Sequence, residues 1–127
     1  MAYSELILNY WDKIGNREWG EFHNFFTASA TVEWPNTNEL FKDICNFVRI
    51  NSEYPGDWNI KIEKIIEFDN VVITITYVSS KESNTSFYAV SFFEFEGQKI
   101  SKLTEYWGEN GSAPEWRKTL KLSDQLN

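Results

Sequence analysis

The sequence predicts an α+β fold, a cone-shaped curved antiparallel sheet packed with three N-terminal helices. Three observations predict it. Apolar residues recur at three- and four-residue spacing before Ser52, and at two-residue spacing from Trp58 onward. Short turn signals at Asp69-Asn70 and Glu96-Gly97-Gln98 join the later segments into a meander. Aromatics are dense, 10 Phe, 6 Trp and 6 Tyr among 127 residues. So many rings suggest a lined cavity beside a packed centre, with a ring-rich core as the plainer alternative.

The first helix is expected over Ser4–Ile14, with Leu6, Ile7, Tyr10, Trp11 and Ile14 as its stripe and Ser4 as its cap. A second, shorter helix is expected over Arg17–Thr27, with Trp19, Phe22 and Phe26 on one face. Ala30–Trp34 alternates as a short strand closed by Pro35-Asn36. Thr37-Asn38 would cap a third helix from Glu39 to about Asn51, its stripe formed by Leu40, Ile44, Phe47, Val48 and Asn51. After a turn at Ser52–Asp57 come four antiparallel strands. The first runs from Trp58 to Phe68 and its alternation is interrupted at Lys64-Ile65; Val71–Val78, Ser86–Phe95 and Lys99–Gly108 follow. Ser86–Phe95 carries rings on both faces, so both faces need cover: helices on one side, a second copy of the chain on the other. The tail is polar with Trp116 as its expected anchor.

One domain spanning residues 1–127 is expected. A net charge of −7 argues against nucleic acid and against an anionic membrane surface. No long apolar run or basic leader is visible, so the reading is a cytoplasmic protein. Cys45, alone, is read as a small core residue. One His and one Cys give no usual metal site, no glycine-rich phosphate loop is present, and no cofactor is indicated. His23 beside the second helix's stripe reads as a surface or packing residue.

Glu105 stands out. In the last strand Leu103, Glu105 and Trp107 share one face, placing a carboxyl among apolar groups. Poorly solvated, it would have a raised pKa and suit general acid or base work beside a carbonyl. Alternatively it pairs with Arg117 and pins the tail over the cone; of the two, the ion pair is favoured. Tyr10, Trp11, Phe22, Phe26, Trp34, Phe47, Ser91, Leu103 and Trp107 are the ligand-binding candidates, a lining suited to a small hydrophobic or aromatic molecule.

Two stretches, Ala30-Thr31-Val32-Glu33-Trp34-Pro35 and Ile100–Asn110 (ISKLTEYWGEN), resemble the opening and last strands of the nuclear transport factor 2-like superfamily, and within it the SnoaL-like and ketosteroid-isomerase-like small-molecule proteins. The resemblance covers about residues 4–117. It implies a cone-shaped barrel, a homodimer through the convex sheet face, and Leu103, Glu105 and Trp107 on the concave face. It departs from the isomerases where their chemistry sits. Trp34 stands in place of the catalytic base and Ser91 in place of the oxyanion-hole acid. The matching oxyanion tyrosine falls near Leu8, with Tyr10 roughly 200° around the helix. Steroid isomerisation by that mechanism is therefore not expected. A small-molecule binding protein ranks first, a cyclase, isomerase or dehydratase using Glu105 second, and a protein-interaction module third.

Overall fold

Ile7, Tyr10 and Trp11 are spaced to share one side of a helix, and they form the buried stripe of α1 (Tyr3–Gly15) in the computed structural model. The structure describes residues 3–127; Met1 and Ala2, the start of the expected domain span, lie outside the described residues. The strands follow as β1 (Phe26–Trp34), β2 (Glu39–Phe41), β3 (Trp58–Phe68), β4 (Val71–Ser80), β5 (Ser86–Glu96) and β6 (Lys99–Glu109). α2 (Ile44–Ser52) lies between β2 and β3, and α3 (Glu115–Leu120) follows β6. All six strands join one sheet in the order β2-β1-β6-β5-β4-β3. β1 runs parallel to β6 and every other pairing is antiparallel, so the sheet is mixed.

Only two substantial helices form, not three N-terminal ones. The stretch expected as a second helix is a single 3-10 turn, Phe22–Phe25, and the chain is already extended at Phe26. Phe22, Phe25 and Phe26 do gather on one side, as helical spacing suggested, but a tight turn entering a strand achieves the same gathering. The expected third helix begins five residues late. Asn38 adopts a left-handed turn (φ 58°), and Glu39–Phe41 then pairs back on β1 as an edge strand. The α2 cap is Asp43, whose side chain accepts from the Cys45 N–H at 2.8 Å. Leu40 is consequently exposed, and Cys45 is a surface thiol, not a core residue.

Ser4 does not cap α1. Its N–H and hydroxyl instead donate to Glu67 on β3, at 2.9 and 2.7 Å, so a carboxylate sits at the positive end of the helix. The irregularity expected at Lys64-Ile65 is a bulge between Ile62 and Lys64. The extra residue exchanges the faces of the strand beyond it. Ile65 therefore packs on the core, while Ile66 and Phe68 are exposed. Trp116 anchors nothing and is 67% exposed.

The core lies between α1, α2 and the inner sheet face. Phe93 is fully buried there, edge-on to Tyr10 with ring centroids 5.0 Å apart. Phe93→Ala is expected to lower stability by about 3–5 kcal/mol in chemical denaturation. A loss below about 1 kcal/mol would show that this contact does not hold α1 to the sheet.

Candidate functional site

The site is built by register. Cross-strand pairing sets Ser91 on β5 directly opposite Glu105 on β6, and Glu33↔Thr104 carries Trp34 on β1 alongside Glu105 from the other side. All three side chains point inward. The Trp34 indole N–H donates to Glu105 Oε1 at 2.9 Å, and the Ser91 hydroxyl donates to Oε2 at 2.8 Å. The row continues through Thr74 on β4, paired with Ser91, whose hydroxyl accepts from the Trp11 indole N–H at 3.2 Å. A polar line thus crosses the inner sheet face, edged by two tryptophans.

Glu105 is not paired with Arg117. Arg117 is exposed on α3, and no ion pair to Glu105 is formed among the described residues. Glu105 is buried, 7% exposed. Burial pushes its pKa above the ordinary value, and the hydrogen bonds from Trp34 and Ser91, which favour the charged form, oppose the shift without cancelling it. Tyr10 is also buried, its hydroxyl without a hydrogen-bond partner. Burial and then the nearby Glu105 charge push its pKa well up. A neutral phenol and a carboxyl thus border one space.

That space is a cavity of about 140 Å³. Of the residues singled out from the sequence, Tyr10, Trp11, Trp34, Phe47, Glu105 and Trp107 border it. Phe22, Phe26 and Leu103 are buried in the core behind it, and Ser91 holds the acid from below. His23 is exposed. Leu8, where the resemblance put the oxyanion tyrosine, is 49% exposed, whereas Tyr10 faces inward. The sequence reading missed Trp58, Phe87 and Tyr54. Phe87 had a signal, since it shares the inward face with Ser91 and Phe93; Tyr54 lies outside the regular elements and carries no periodicity. Among the described residues no cluster of His, Cys, Asp and Glu is arranged to hold a metal ion, and no helix is long and apolar enough to cross a membrane.

Chemically, the arrangement offers one poorly solvated carboxyl, one phenol and a wall of rings. A single buried acid of raised pKa can take or give one proton, and the other carboxyl group that borders the cavity, Asp57, is exposed.

No family model and no curated protein sequence matches the chain. Solved structures do. A candidate ketosteroid isomerase from Kribbella flavida superposes with a TM-score of 0.83 at 23% identity, covering 98% of this chain and 90% of that one. An NTF2-like protein of unknown function from Burkholderia xenovorans gives 0.80 at 22%, covering 98% and 95%. A candidate SnoaL-like polyketide cyclase from Shewanella putrefaciens gives 0.70 at 11%, covering 83% and 79%. The chain therefore has the nuclear transport factor 2-like fold, the one shared by SnoaL-like and ketosteroid-isomerase-like proteins.

Because the folded-state pKa of Glu105 is raised, the native state holds a proton that the unfolded chain has already lost above pH of about 4.5. Stability from this group is present at lower pH and is lost as pH rises through the folded value. Glu105→Gln keeps an acceptor for Trp34 and removes the titration. Thermal unfolding of both proteins from pH 4 to 8 is expected to show the wild type losing ground to the Gln variant as pH rises. Parallel curves would contradict the raised value.

Proposed function

We propose that this chain, as a single SnoaL-like domain, binds a small hydrophobic or aromatic molecule in the mouth of the cone. The carrying observation is the aromatic wall around a cavity of about 140 Å³ with one buried acid in it. A comparable apolar cavity of roughly 150 Å³ takes up benzene, so a compact ring is the right scale. Phenol titrated into the protein is expected to shift the indole N–H resonances of Trp34 and Trp107. Trp107→Ala is expected to weaken that binding about tenfold, from the apolar contact removed. Shifts confined to the outer sheet face would count against the reading.

A second reading is favoured by the raised pKa of Glu105 and its lack of a basic partner. Here Glu105 moves a proton beside a carbonyl, as a cyclase, isomerase or dehydratase requires. Deuterium exchange α to the carbonyl of a small cyclic ketone is expected to fall about 10²–10⁴-fold in Glu105→Gln. Unchanged exchange removes the enzymatic reading and leaves binding intact.

The homodimer belongs to the same proposal. Tyr88 and Tyr106 are 43% and 46% exposed on the outer face, with Val90 and Phe92 half-buried between them. A contiguous apolar face of this kind is normally covered. Sedimentation is expected to give twice the 15.0 kDa of one chain, and Tyr106→Glu to halve it. A wild-type mass of one chain overturns the pairing. The cytoplasmic location is supported by the exposed, unpaired Cys45, which suits a reducing compartment.

A further inference from the structure

We propose that the preferred occupant of the cavity is a compact organic cation, an alkylated ammonium group held inside an aromatic box with its charge facing Glu105. This deepens the small-molecule reading and rests on it. The first observation is the unmatched acid. Every salt bridge among the described residues joins surface groups, and Glu105 is in none of them. Its two partners, Trp34 and Ser91, are neutral donors and use one lone pair on each oxygen. A second acceptor direction on each oxygen is left. The two basic residues that reach the cavity, Arg17 and Lys81, are both exposed at its mouth, and Arg17 is engaged with the Ser52 carbonyl at 2.8 Å.

The second observation is the arrangement of rings. Trp34 and Trp107 have centroids 5.6 Å apart and planes at 75°. Trp107 meets Phe87 at 5.5 Å and 72°, Phe87 meets Trp58 at 5.6 Å and 51°, and Trp58 meets Tyr54 at 5.9 Å and 75°. All five of these rings line the one cavity, so its wall is largely aromatic. Ring faces are electronegative, so such walls attract a cation. The interaction strengthens when water is excluded, as on this half-enclosed inner face.

A neutral apolar guest would fill the volume and leave the acid without a countercharge. A cation supplies the countercharge and gains from an aromatic lining, which is why it is the preferred guest.

The test compares choline with its neutral isostere 3,3-dimethylbutan-1-ol on the intact protein at pH 8 by calorimetry. Choline is expected to bind at least about tenfold more tightly. Glu105→Gln is expected to remove that preference while leaving the alcohol within about twofold, and native near-ultraviolet dichroism verifies its fold. The wild-type comparison needs no variant, so it decides the matter even if the variant fails to fold. Equal or tighter binding of the alcohol overturns the cation and keeps the small-molecule site. Failure of both compounds while phenol still binds also overturns the cation alone. Failure of all three overturns the site as well.

Discussion

The hydrogen-bonded row from Trp34 through Glu105 to Ser91 depends on one constraint, the register of β1, β6 and β5. A one-residue slip of β6 against its neighbours would turn the acid outward and a tyrosine or threonine inward. The central place of β6 in the sheet guards against that, since it is paired with β5 along its length and with β1 up to Thr104. The bulge near its start, between Glu94 and Phe95 on the facing strand, fixes the phase before the site is reached. Position, orientation and partners of Glu105 are therefore consequences of backbone pairing more than of local side-chain packing.

Burial and hydrogen bonding pull this carboxyl in opposite directions. Desolvation penalises its charge, and two neutral donors offset only part of the penalty. The fold tolerates a group whose charged form is unfavourable, although an apolar residue of similar size would pack there without that cost. Such sites concentrate where a protein binds or reacts. The rings make the same point from the other side: they leave a void where close packing would have been available.

The strands were legible because period-two alternation is a strong local signal, and β3 to β6 lie where alternation puts them. The inward face of β6 was readable for the same reason. The helices were less so. Phe22, Phe25 and Phe26 satisfy helical spacing and strand entry equally, and no local feature separates the two until Phe26 pairs with Ile100, far along the chain. Leu40 and Phe41 are similarly captured by β1. The partner of Glu105 was out of reach for a different reason. Arg117 is near in sequence, but Trp34 and Ser91 are brought close only by sheet order. The bulge in β3 was visible as an interruption, but its effect on Ile66 and Phe68 follows from pairing that the sequence does not display.

The parallel pairing of β1 with β6 also governs the order of events in folding. β3 to β6 form successive hairpins from neighbouring segments, and each closes a short loop. The contact between Trp34 and Glu105 spans 71 residues. Closing so long a loop costs entropy that nearby pairings do not incur, and non-local contacts of this kind slow folding. On the ribosome the first half of the site emerges well before its partner strand exists. The pocket is therefore among the last features to appear, and a chain that presents it has already committed its whole sheet.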